Sequence, residues 1–198
     1  MDLSGQRKFL LTQRFAAFVN RYDFFLGTDG ERGERIGWAE QKRFNIKERI
    51  TVWEGEGQET TLFAIQAEKV LDLHGKFFVE DGAGKQVGYL QKDFRSSLLS
   101  STWNIHDAAG ALLFTTTEKS ELLALARRLS FLIPFVGEVI DLIPFQFVFL
   151  KDGVRVGEQV KRFRLRDTYV IEVTEALDGV DRRLILALAI ALDELQGR

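Results

Sequence analysis

Residues 147–163 read Phe147-Val148-Phe149-Leu150-Lys151-Asp152-Gly153-Val154-Arg155-Val156-Gly157-Glu158-Gln159-Val160-Lys161-Arg162-Phe163. Four features follow one another here: an aromatic-rich triplet, Asp-Gly, a β-branched residue before Gly, and Lys-x-Phe. Aromatic and β-branched residues suit a pleated, half-buried strand. Asp-Gly suits a hairpin turn, because Gly accepts positive φ and the Asp carboxylate caps the turn locally. A Gly in the returning strand marks a bulge, a bend or the close approach of another element. The stretch therefore predicts an antiparallel hairpin.

The same order occurs twice more. Phe77-Phe78-Val79, Asp81-Gly82, Val87-Gly88 and Lys92-x-Phe94 form one copy. Phe24-Phe25-Leu26, Asp29-Gly30, Ile36-Gly37 and Lys42-x-Phe44 form the other. The repeats cover about 22–53, 75–106 and 145–173, and a fixed internal order at three sites signals a repeated structural unit. Further turn signals stand at Asp107–Gly110 and Asp178-Gly179. Alternation follows two of the three Lys-x-Phe motifs. Phe44, Ile46, Ile50 and Val52 share one face, and Arg43, Lys47 and Arg49 the other. Phe163, Leu165, Tyr169, Ile171 and Val173 oppose Arg162, Arg164, Arg166 and Thr168. Period two predicts that each return strand runs on through these residues. Many short strands with turns and only two Pro predict an all-β sandwich or barrel.

Two segments break the β pattern. Glu118–Ile133 predicts an amphipathic helix that Pro134 ends. Asp181–Gln196 predicts a second helix, with Asp181 as N-cap and Gly197 as stop. Its middle, Leu184–Leu192, is apolar on every side, so this helix must be enclosed.

Repeated hairpins followed by an all-apolar helix resemble the LURP-one-related (LOR) family of the tubby C-terminal and phospholipid-scramblase superfamily. The resemblance runs from about Leu11 to Leu195 and rests on the quoted repeats, RDTYVIEV at 166–173 and LILALAIAL at 184–192. It implies a mainly β fold: a closed, roughly twelve-stranded antiparallel barrel around the central hydrophobic C-terminal helix. The amphipathic helix is additional. Residues 1–198 then form a single barrel domain.

Composition excludes several functions. The 198 residues include no Cys and two His, which removes thiol chemistry, disulfides and Cys-ligated metals. The net charge of −2 supplies no broad basic field for nucleic acid, so none is expected as a partner. Leu184–Leu192 is too short to span a bilayer, and Glu138, Asp141 and two Pro interrupt Leu129–Leu150, so no transmembrane span is expected. Cytoplasmic residence, peripheral at a membrane, is the expectation.

No catalytic, metal or cofactor residues stand out. Gly82-Ala83-Gly84-Lys85 lacks the first Gly and the Ser/Thr of a phosphate loop and reads as a turn. The Asp-Gly turns lack the acidic spacing of a calcium loop. His74 and His106 read as surface or rim residues, and no nucleophile elbow is present. The chain therefore reads as non-enzymatic. The candidates for binding are arginine faces: Arg162, Arg164 and Arg166 on one strand, and Arg43, Lys47 and Arg49 on another. Guanidinium groups bind phosphates bidentately, so these could hold an anionic phospholipid or phosphoinositide-like headgroup, as the resemblance to tubby domains implies. A protein partner at 129–150 is the other expectation. A scramblase-like protein and a purely regulatory interaction domain are alternatives. Scramblases carry Cys-rich and Pro-rich segments that this sequence lacks. Lys42, Lys92 and Lys161 fall in phase with inward Phe and need a rim position or an acid such as Asp193 or Glu194.

Overall fold

The computed structural model describes residues 1–15, 19–27, 32–42, 49–68, 75–93, 102–119, 146–162 and 167–196. Within them are β1 (Lys8–Phe15), β2 (Val19–Gly27), β3 (Arg32–Lys42), β4 (Ile50–Glu54), β5 (Thr61–Ala67) and β6 (Lys76–Asp81). These are followed by β7 (Gln86–Asp93), β8 (Thr102–Asp107), β9 (Leu112–Glu118), β10 (Gln146–Lys151), β11 (Val154–Arg162) and β12 (Thr168–Val173). The helix α1 spans Arg182–Gln196. Each strand pairs antiparallel with its sequence neighbours, and β12 pairs with β1 to close a barrel. Closure leaves no exposed sheet edge. The expected twelve-stranded architecture is the one that forms.

The β-branched–Gly pair of the repeat is a β-bulge. Phe24 faces Gly37 while Phe25 faces Arg35, which makes Ile36 the extra residue. Val87 and Val156 occupy the same place in the hairpins β6–β7 and β10–β11. Leu62 and Leu113 do so in β4–β5 and β8–β9. The bulged hairpin thus occurs five times, where the sequence shows three. Each bulge sharpens the local twist a small barrel needs. At Gly88 the missing side chain has a further use: a Cβ would lie 2.3 Å from the His106 carbonyl oxygen and 2.9 Å from the Leu184 side chain. Wall and helix could not approach so closely otherwise.

The turns behave as their residues require. Asp152 and Gly153 both take positive φ, 52° and 77°, as a two-residue hairpin turn demands. Asp81 Oδ1 accepts the N–H groups of Ala83 and Lys85 at 2.9 Å each, so 82–85 is a hairpin turn. The four hairpin turns among the described residues lie at one end of the barrel, together with the start of α1. The opposite strand ends lie near the C-terminal part of α1.

The helix is inside. Every residue from Leu184 to Leu192 is buried, around the full circumference. Each large apolar side chain there contributes about 1.5–3 kcal/mol by leaving water. Phe9, Leu11, Phe24, Phe63, Val79, Leu90, Phe114 and Phe149 line the wall against it. Asp181 Oδ1 accepts the Arg183 N–H at 2.9 Å and caps the helix as expected. The buried Arg182 guanidinium donates to the carbonyls of Gln6, Leu177 and Val180 at 2.6, 2.5 and 3.0 Å. It thereby ties the N-terminal segment and the preceding turn to the helix. Among the described residues no helix is long and apolar enough to cross a membrane.

Two expectations change. The alternating runs from Phe44 and Phe163 are not continuous strands. β3 ends at Lys42 and β4 starts at Ile50; β11 ends at Arg162 and β12 runs back from Thr168. Alternation persists on both sides of a reversal because both strands face the same lumen. Glu118, the first residue of the predicted amphipathic helix, is instead the last of β9, paired with Phe147. The β-branched run Thr115–Thr117 before it favours strand. Residues 120–133 of that helix lie outside the described residues.

Candidate functional site

Tyr22 and Phe24 point into the barrel and are fully buried, so Asp23 points outward. Yet Asp23 is only 2% exposed, because three arginines cover it. Arg14 on β1 brings Nε to 3.2 Å from Oδ2. Arg21 on β2 brings Nε to 3.7 Å from Oδ1, and Arg35 on β3 donates from Nη2 to Oδ1 at 2.7 Å. Strand register assembles the group: Arg14 stands opposite Arg21, and Asp23 opposite Trp38. The Trp38 ring lies 4.4 Å from the Arg21 guanidinium and 5.9 Å from that of Arg35. Trp53 packs against Trp38 at 4.8 Å.

The electrostatics are uneven. Three cations surround one buried carboxylate, and Glu40 approaches Arg21 at 3.6 Å. The carboxylate and the indole face offset the mutual repulsion of the guanidiniums. The Nε atoms of Arg21 and Arg35 and Oδ2 of Asp23 are buried and have no hydrogen-bond partner. Side-chain exposures of 49%, 36% and 24% for Arg14, Arg21 and Arg35 leave this face reachable. Partly exposed guanidiniums held at fixed positions can take up phosphate or carboxylate oxygens.

Of the residues the sequence singles out, Arg162 is exposed at the end of β11. It stands opposite Thr168, which stands opposite Thr12, which stands opposite Asp23. Arg162 therefore shares one outward row with the arginine cluster, about 14 Å away across three strand spacings. Arg49 precedes β4 and ion-pairs with Glu80 at 2.5 Å. Arg43, Lys47, Arg164 and Arg166 lie outside the described residues. β11 ends at Arg162, the one member of its expected arginine face among the described residues. Sequence reasoning missed Arg14, Arg21, Asp23 and Arg35. One signal was present: Arg21 and Asp23 alternate with the inward Tyr22 and Phe24.

Other polar groups are committed to the fold. Lys161 pairs with Asp167 at 2.7 Å and lies 5.6 Å from the Tyr169 ring. Lys92 lies 5.8 Å from the Trp103 ring. Asp193 accepts hydroxyl hydrogen bonds from Tyr22, at 2.7 Å, and from Tyr169. His106 stacks on Tyr89 on the outer wall. A cavity of about 590 Å³ opens at the hairpin end, lined partly by Asp2, Glu54, Asp81, Asp178, Asp181 and Arg183. Asp178 is gripped by Arg7 at 3.1 and 2.6 Å, and the Arg7 hydrogen bonds hold its carboxyl below the usual range. Burial works against the charge on Asp181, but the Arg183 side chain and N–H outweigh it and hold that carboxyl low as well. Among the described residues no group of His, Asp or Glu side chains is arranged to hold a metal. Of the 129–150 segment, 146–150 belong to β10, with Phe147 and Phe149 buried, and 129–145 lie outside the described residues.

Residues 37–193 match a family model described as LURP-one-related. No curated protein matches the chain. Among solved structures, a porin-like protein from Bacteroides uniformis ATCC 8492 aligns with 86% of this chain and 96% of its own at 8% identity. Its TM-score of 0.23 is too low for the likeness to bear on fold or function.

Proposed function

The chain belongs to the LURP-one-related family, within the tubby and scramblase-like superfamily, and from this we propose that it is a non-enzymatic binding module for an anionic headgroup at a membrane surface. One observation carries the reading. Arg162 and the arginines around Asp23 face outward on one side of the barrel, across β11, β12, β1, β2 and β3. A rigid β wall presents charges to a flat surface without the ordering cost of a flexible loop. The family is not a known enzyme family.

Vesicle flotation tests the proposal. The wild-type protein is expected to float with vesicles containing anionic lipid at low salt and not with phosphatidylcholine alone. Arg162→Glu combined with Arg164→Glu weakens that binding. An unmodified chain that ignores anionic vesicles at low salt overturns the lipid reading. Transfer of lipid between leaflets by the purified protein would favour a scramblase-like activity instead.

A further inference from the structure

We propose that Asp23, Arg14, Arg21 and Arg35 form a preorganised site for a phosphate monoester, with Asp23 acting as the positioning residue that holds the guanidiniums together. The inference rests on the anion-binding reading above and gives it a centre. Arg14, Arg21 and Arg35 come from three adjacent strands and lie within 3.7 Å of one carboxylate. Without that carboxylate they would repel one another and swing into solvent. The carboxylate is nearly inaccessible at 2% exposure, so its work is internal. The side chains of Arg14, Arg21 and Arg35 remain partly exposed, so their guanidiniums can be reached from solvent.

Three guanidiniums against Asp23 and Glu40, the latter 3.6 Å from Arg21, leave one net positive charge, so the number of guanidinium forks rather than net charge selects the ligand. A phosphate monoester carries nearly two negative charges at neutral pH and three terminal oxygens that accept hydrogen bonds from guanidinium forks. A phosphodiester offers fewer free oxygens to three guanidinium forks. The site therefore favours the monoester. Trp38, stacked under Arg21 and Arg35, restricts the directions those side chains can take. The monoester could belong to a lipid or to a soluble metabolite.

Asp23→Asn gives the discriminating experiment, because it adds one unit of positive charge. Simple attraction to an anionic surface then predicts tighter binding. A preorganised site predicts weaker binding, by about tenfold, since the arginines lose their common anchor. Binding is measured by flotation with phosphatidylcholine vesicles carrying phosphatidic acid, a monoester, or phosphatidylserine at matched surface charge, with thermal melts alongside. The wild type should prefer phosphatidic acid. Arg21→Gln, whose parent makes ion-pair and ring contacts at the surface, should keep the melting temperature and lose binding about as much. Competition by soluble glycerol phosphate would identify a soluble source of the monoester; its failure to compete would identify the lipid; either outcome supports the site. Asp23→Asn binding as well as wild type or better, or an unaffected Arg21→Gln, overturns it. If the wild type binds no anionic vesicle and no glycerol phosphate, the broader function fails. If it binds, and only the Arg162→Glu variant is impaired, this inference alone fails.

Discussion

The hydroxyl of Tyr22 and the carboxylate of Asp193, 171 positions apart in sequence, meet at 2.7 Å where the central helix nears the far end of the barrel. Gln13 Nε2 donates in turn to the Tyr22 oxygen at 3.1 Å, and Tyr169 reaches the other carboxylate oxygen. Strands β1, β2 and β12 thus grip the last turns of α1 through one carboxylate. Tyr22→Phe should cost about 1.5–3 kcal/mol, the usual worth of a hydrogen bond to a charged group. A double-mutant cycle with Asp193→Asn in urea should show clear coupling. Strictly additive effects would mean the contact contributes nothing to helix docking.

The helix core gives a sharper stability test. Leu188 is fully buried at the centre of the apolar run. Leu188→Ala should lower stability by about 2–5 kcal/mol. Leu188→Asp should abolish the cooperative transition of the whole domain, since a charge in the lumen has no partner. A soluble Leu188→Asp variant with an unchanged melt would place the helix outside the barrel.

Gly88 tests the close approach of wall and helix. Gly88→Ala forces a Cβ within 3 Å of both the His106 carbonyl oxygen and Leu184, so it should destabilise by about 1–3 kcal/mol. Gly179 has open space around it, and Gly179→Ala should stay within about 0.5 kcal/mol of wild type. Equal effects in chemical denaturation would contradict the packing described.

The hairpin end should be acid-sensitive. Asp178 and Asp181 are held below the ordinary Asp value in the folded chain, so the unfolded chain binds more protons. Their stabilisation is fully present above the ordinary Asp range, about 3.9. It fades as pH falls through the lower folded values. Asp181→Asn keeps a competent N-cap, so the variant should lose the ion pair with Arg183 and show a flatter stability profile below about pH 4. A profile parallel to wild type in that range would remove the ion pair from the account.

The sequence carried the hairpins wherever turn and bulge residues coincided. Phe24/Gly37, Val79/Gly88 and Phe149/Gly157 were legible because Gly stands at each bulge. The hairpins β4–β5 and β8–β9 use Leu62-Phe63 and Leu113-Phe114 at that place, and no residue type there marks the bulge. The enclosed helix was legible because no polar face existed for water. Strand ends were not, since inward residues keep alternating on both sides of a reversal. The arginine cluster was least legible. Arg14, Arg21 and Arg35 are brought together by register between three strands, and register depends on the bulge at Ile36 and on the turns.

Arginine side-chain NMR addresses the functional claim at its centre. The Nε–H resonances of the wild-type protein would be followed as nanodiscs containing phosphatidic acid are added. The account predicts that Arg14, Arg21, Arg35 and Arg162 shift or broaden together, while Arg7, Arg182 and Arg183 at the hairpin end stay unchanged. Unmoved resonances for Arg21 and Arg35, with changes confined to the hairpin end or absent altogether, would contradict it.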